Sequence, residues 1–142
     1  MKPNIYLDID GVILVNDKNG AAHVHEFLEL ITTNYPDTTY WLTTHCQGDV
    51  QTAVNRLRTV LEPKTIELLH SIKPTRWKVA KTEAVDFTKP FLVFEDDLYD
   101  EEREELIKHG VLDNWILIDL AKNEHQLADF ISSFPIPINY IK

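Results

Sequence analysis

The sequence predicts an α/β domain built on a parallel sheet, and three observations predict it. Two apolar runs, Ile5-Tyr6-Leu7 and Phe91-Leu92-Val93-Phe94, are short, continuous and end abruptly in acids, at Asp8-Ile9-Asp10 and Glu95-Asp96-Asp97. Runs of this length read as strands buried on both faces. Strand-like and helix-like periodicity alternate along the chain, an order that predicts a parallel sheet covered on both sides by helices, a three-layer domain. The chain of 142 residues suits a single domain, 1–142, with one core.

The elements follow in order. Residues 4–9 read as the first strand, and Val24, Phe27, Leu28 and Ile31 predict a helix over 22–34. Pro36-Asp37 turns the chain into a second strand, Thr39–Thr43, rich in β-formers. Val50, Ala53, Val54, Leu57 and Leu61 form the next helical stripe, with Asp49 as its N-cap and Pro63 beyond its end. Short helices are expected over 64–70 and 76–85, a strand over 91–95, a helix over 100–109 stopped by Gly110, and a strand over Trp115–Leu120. Leu127, Phe130, Ile131 and Phe134 predict a last helix capped by Asn123. The tail 134–142, with Phe134-Pro135-Ile136-Pro137-Ile138, is apolar and broken by prolines, suited to covering the core or to an oligomer contact.

Composition bounds the function. With 44% hydrophobic and 26% charged residues, the chain has the balance of a soluble globular protein. It holds no apolar stretch long enough to cross a membrane, so no membrane partner is expected. Met1-Lys2-Pro3-Asn4 leads straight into the first strand without a signal-peptide pattern, and the single cysteine, Cys46, fits a reducing compartment; a cytoplasmic location is the expectation. A net charge of −9 argues against long nucleic acid as a partner, since backbone binding needs clustered Lys and Arg. A single nucleotide remains open to it.

The acids at the strand ends carry the chemistry. Carboxylates there sit at the rim of the sheet, where open α/β folds build their sites. Crowding Asp8, Asp10, Asp96 and Asp97 together is electrostatically costly. A divalent cation relieves that cost, and an all-oxygen donor set favours Mg²⁺.

In chain order the polar residues at strand ends are Asp8 and Asp10, Thr43, a lysine within 73–81, then Asp96 and Asp97. This order, with Asp8-Ile9-Asp10-Gly11-Val12 after an apolar strand, Trp41-Leu42-Thr43, and Phe94-Glu95-Asp96-Asp97, resembles the haloacid dehalogenase-like superfamily, whose members are mostly phosphatases. The resemblance runs from Ile5 to about Leu120. It implies a Rossmann-like α/β/α domain with a mainly parallel five-stranded sheet and a Mg²⁺-dependent hydrolysis of a phosphate monoester. It further implies Asp8 as the nucleophile that forms an aspartyl-phosphate and Asp10 as the general acid and base. Asp8, Asp10 through its backbone carbonyl, Asp96 and, through water, Asp97 would hold the metal. Thr43, with Thr44 as its neighbouring alternative, and the lysine would hold the phosphoryl oxygens. Lys73, Lys78 and Lys81 all fit by distance; Lys78 is taken because Arg76-Trp77-Lys78 reads as the start of a helix, where the family places this lysine. Gly11 would supply the bend that lets two acids, two residues apart, share one site.

Other residues fit plainer roles. Asp100, Glu101 and Glu102 read as a solvated helix face with acids in its first turn. His45 and Cys46 follow Thr43 and fit structural or solvent-facing positions at the pocket mouth. His23-x-His25 lacks the further ligands a zinc site needs.

Spacing narrows the class. Dehalogenases of the superfamily lack the second acid, so Asp10 points to phosphoryl transfer. Residues 13–38 and 45–72 are too few and too helical to hold a separate cap domain; a small flap over about 13–25, turning at Asn16-Asp17-Lys18-Asn19-Gly20, is what remains. An open site implies a bulky phosphorylated substrate (a small molecule, nucleotide or protein) or a lid borrowed from another subunit. A two-component receiver domain uses similar residues, but there Thr and Lys follow the phosphorylated Asp rather than precede the second acid pair. A phosphate- or partner-binding module without catalysis and a phosphotransferase are the alternative functions.

Overall fold

The computed structural model describes residues 2–134. In chain order the strands and α-helices are β1 (Asn4–Leu7), β2 (Leu14–Asn16), β3 (Asn19–Gly20), α1 (Val24–Asn34), β4 (Thr39–Trp41), α2 (Val50–Arg58), α3 (Pro63–Glu67), β5 (Phe91–Glu95), α4 (Asp100–Lys108), β6 (Trp115–Leu117) and α5 (Gln126–Ser132). The main sheet runs β4-β1-β5-β6 and is parallel throughout, while β2 and β3 form a separate antiparallel hairpin. The fold is thus α/β, with a parallel sheet flanked by helices.

Among the described residues the main sheet has four strands where five were expected. The outer position beyond β4 is held by one residue: Lys73 bridges to Tyr40, giving its N–H to Thr39 O at 2.9 Å and accepting the Trp41 N–H at 2.8 Å. Pro74 follows at once, and a residue without an N–H cannot extend the ladder. The helix expected over 76–85 is also absent, save for a 3₁₀ turn at Lys81–Ala84. The N–H groups of Lys78, Val79 and Ala80 instead bond the Glu83 carboxylate at 3.2, 2.9 and 2.7 Å, which ties this segment into a loop. Asp49 caps α2 as expected, accepting the Gln51 N–H at 2.9 Å. The N-cap of α5 is His125, not Asn123, whose side chain accepts the His125 N–H one step earlier. The predicted flap is the β2–β3 hairpin, its turn held by Asn16 Oδ1 on the Lys18 N–H at 2.9 Å. Of the apolar tail only Phe134 lies within the described residues, packed against the core.

The central strands bury both faces with period two. Ile5 and Leu7 of β1 and Leu92 and Phe94 of β5 join one core cluster, with Phe27, Leu28 and Ile31 of α1 and Leu57 of α2. Phe94 is met edge-on by Phe27 and Phe130, with ring centroids at 5.3 and 5.1 Å. Tyr6, Phe91 and Val93 point the other way, into a second cluster with Leu42, Val85, Leu106 and Trp115. Each such buried side chain contributes on the order of 1.5–3 kcal/mol. This holds β1 and β5 rigidly side by side, with Leu7 level with Phe94.

Candidate active site

One step beyond Leu7 and Phe94, the same alternation carries Asp8 and Glu95 onto the face of Tyr6, Phe91 and Val93. The Asp8 N–H still bonds Phe94 O, at 3.1 Å, so the two acids leave neighbouring strands at the same level. Both are buried. The chain then curls: Ile9 O accepts the N–H groups of Val12, Ile13 and Leu14 at 3.3, 2.9 and 3.0 Å, and Gly11 takes φ 80°. A side chain at Gly11 would collide with the Asp96 carboxylate. Glycine therefore serves twice, for the left-handed turn and for the close approach of the two acid-bearing loops. The curl swings Asp10 out to the rim while Ile9 anchors in the core.

Asp8, Glu95 and Asp96 offer ligand atoms that all lie within 4.8 Å of one another, the described group able to hold a metal. This differs from the expected set. Glu95 joins it; Asp10 faces His45; Asp97 is exposed, with its Oδ1 on the Leu98 N–H at 2.8 Å. Alternation along β5 could have revealed Glu95, since it shares the face of Phe91 and Val93.

The lysine that reaches the cleft beside Asp8 is Lys81, whereas the expectation was Lys78. Lys81 Nζ lies 3.4 Å from Asp8 Oδ2 and pairs with Glu95, with its side chain 15% exposed. Lys78 is exposed, its backbone spent on Glu83. The missing helix explains the difference: with 78–80 looped onto Glu83, the first residue turned toward the sheet is Lys81. Three backbone N–H groups hold the Glu83 carboxyl below its usual range, Ala80 first. Glu102, expected on a solvated face, is buried and ties the loop down. Its Oε2 accepts the Lys81 N–H at 3.2 Å and its Oε1 the Tyr99 N–H at 3.1 Å, so the third residue of α4 reaches back to the helix start.

Charge is unbalanced at the floor. Burial, then the hydrogen bond and charge of Asp8, push the Glu95 carboxyl up to about 11 against the pull of Lys81. Burial works against the Lys81 ammonium, but Asp8 and Glu95 outweigh it and hold its pKa above the ordinary value. Two buried carboxyls thus face one lysine, with Asp96 beside them, and the crowding favours the protonated form of Glu95.

The rim completes the cleft, whose volume is about 370 Å³. Asp10 Oδ2 meets His45 Nε2 at 2.8 Å, and Arg56 lies 3.9 Å from its other oxygen while pairing with Asp17 of the hairpin at 2.8 Å. His45 thus has a polar partner at the mouth; Arg56 carried no sequence signal. Thr44 is exposed and lines the cleft. Thr43 is buried, with its Oγ1 accepting the His45 N–H at 3.3 Å. Cys46 is buried in the core. His23 and His25 take separate partners, His125 at 3.2 Å and Thr65 at 2.8 Å. Among the described residues no helix is long and apolar enough to cross a membrane.

A scan against protein-family models, a search of curated proteins and a search of solved structures each found no match.

Proposed function

We propose that this protein is a Mg²⁺-dependent phosphatase of the haloacid dehalogenase-like superfamily, hydrolysing a phosphate monoester through an aspartyl-phosphate at Asp8. On this reading the sheet and its helices form the superfamily's three-layer Rossmann-like domain without a separate cap. One observation carries the proposal: Asp8, the Glu95–Asp96 pair and Lys81 converge in one cleft from three separate segments of chain. A structural ion pair needs no second and third acid.

The donor set fits the metal. The three carboxylates are all-oxygen donors whose ligand atoms lie within 4.8 Å of one another, the kind of grouping a hard cation such as Mg²⁺ takes. The raised Glu95 carboxyl marks a floor short of positive charge. Asp8, Glu95 and Asp96 would hold the ion, which when bound supplies charge to the transferring phosphoryl oxygens.

The chain's own residues do the rest. An Asp8 carboxylate oxygen attacks phosphorus, and the ester P–O bond breaks with its electron pair going to the leaving oxygen. Asp10, at the rim, gives that oxygen a proton. Water then attacks the phosphoryl group and yields a proton to Asp10, and the Asp8–phosphorus bond breaks with its pair returning to the carboxylate. Lys81 neutralises charge on the phosphoryl oxygens from a fixed position, which costs no reorganisation during the step. Thr44 offers a hydroxyl at the same wall. His45, 2.8 Å from Asp10, sets the direction of that carboxyl.

The test is hydrolysis of a panel of phosphate monoesters with and without Mg²⁺, wild type beside Asp8→Asn. Metal-dependent phosphate release lost in the variant is the expected result. Phosphate release equal in both proteins would refute Asp8 as nucleophile. A folded protein that turns over no ester would favour the phosphate-binding module instead.

A further inference from the structure

Few large apolar side chains are exposed among the described residues, and two of them line the cleft of Asp8 and Lys81 while a third lines the cleft beside it. Val79 is 87% exposed and Tyr99 62%, and both line the cleft of Asp8 and Lys81. Val15 of the hairpin, 51% exposed, lines the adjoining cleft that shares Asp96. Half-buried Trp77 completes the wall. Exposed apolar groups gathered beside a polar floor mark a ligand surface.

The wall is held in place. The Val79 N–H is fixed by Glu83 at 2.9 Å, the Tyr99 N–H by Glu102 at 3.1 Å, and the Trp77 N–H by Gln47 at 3.4 Å. The Trp77 ring also packs on the second core cluster. Val79 and Tyr99 stand exposed on backbones tied to Glu83 and Glu102, beside a Trp77 ring anchored on the core.

Resting on the phosphatase reading, we propose that the substrate is a monophosphate ester whose leaving group carries a flat ring within about one carbon of the ester oxygen, stacked against Trp77 and flanked by Val79 and Tyr99. The distance sets the linker. Lys81 Nζ lies 5.8 Å from the Trp77 ring centroid. A phosphoryl oxygen at about 2.8 Å from Nζ leaves the ester oxygen and the next carbon beside that ring, and paired rings sit at about 4.5–7 Å between centroids. A longer spacer carries the ring past Trp77. The acidic rim, with Asp10 and Asp97 exposed in the same cleft, repels a second phosphate.

Benzyl phosphate and n-propyl phosphate, close in leaving-group basicity, separate ring recognition from chemistry. With Mg²⁺ present, wild type is expected to show a KM about tenfold lower for benzyl phosphate, the scale of one aromatic pair plus its buried area. Trp77→Ala should remove most of that ratio and Trp77→Phe should keep it. Tyr99→Ala, at an exposed position, should reduce the ratio and serves if Trp77→Ala fails to fold. Phenyl phosphate set against a phosphotyrosyl peptide tells a free aryl ester from a protein side chain, and preference for either supports the proposal. Equal KM values for benzyl and propyl esters, with both hydrolyses lost in Asp8→Asn, overturn the ring proposal and leave the phosphatase reading standing. No hydrolysis of either ester overturns both.

Discussion

Replacing Glu95 with Gln removes a buried acid while keeping its shape and hydrogen-bonding reach to Lys81 and the Asp96 N–H. The ordinary carboxyl value is 4.5 and the folded protein raises it to about 11, chiefly by burial. Between those values the folded state holds a proton that the unfolded chain has lost. Stability from this group is full below the unfolded value and declines as pH rises through the window, by about 1.4 kcal/mol per pH unit. From about pH 5.5 to about pH 8 the full slope gives ~3 kcal/mol, and relaxation around the Lys81 pair reduces this to about 1–3 kcal/mol. Glutamine does not titrate, so the stability of Glu95→Gln minus that of wild type should grow by that amount between the two pH values. Urea unfolding of both proteins in EDTA measures it, and the difference between proteins cancels the histidines common to both. Adding Mg²⁺ should shrink the gap in wild type, because an ionised Glu95 then has a cation to face. A difference that stays constant to within about 0.5 kcal/mol across the pH range would refute a buried, proton-holding Glu95.

Other expectations test separate parts of the site. Gly11→Ala should cost at least about 1–2 kcal/mol in urea unfolding, from the φ of 80° alone, and weaken Mg²⁺ affinity because the new methyl displaces Asp96. Lys81→Met should lower kcat by about 10²–10³, whereas Lys78→Met should stay within about twofold, in steady-state assays. His45→Ala should lower kcat about tenfold for alkyl esters and less for nitrophenyl esters, whose leaving oxygen needs little protonation, since His45 acts only by directing Asp10.

The strands β1 and β5 and the acids at their ends were legible because burial on both faces writes a continuous apolar run, and the run must stop where the sheet meets solvent. Asp8 and Asp96 came from that signal, while the hairpin from Asn16 to Gly20 came from its turn residues and the Asp49 cap from its place before a helical stripe. What escaped depended on contacts distant in sequence or on side chains competing with the backbone. The pattern of 76–85 predicts a helix beginning near Lys78; the Glu83 carboxylate overrides it by taking three backbone N–H groups, and Lys81 reaches the cleft instead. A fifth strand of the main sheet is not found among the described residues; beside β4 only the bridge of Lys73 to Tyr40 forms, and Pro74 cannot extend it. Glu95 and Glu102 were legible in principle, the first by strand alternation and the second as the third residue of a helix whose side chain reaches back. The contacts of Arg56 with Asp10 and Asp17 join residues 46 and 39 positions apart in the chain, and no local pattern announces them.

The central claim is that Asp8 carries the phosphoryl group. The direct measurement is acid quenching of the enzyme during turnover of a phosphate monoester with Mg²⁺, borohydride reduction, and mass spectrometry of the peptide containing residue 8. Reduction of an aspartyl-phosphate converts that residue to homoserine, so homoserine at position 8, present only with substrate and absent in Asp8→Asn, is the predicted result. Sustained turnover with Asp8 unmodified, or with the modification at Asp10 or Glu95 instead, would contradict it.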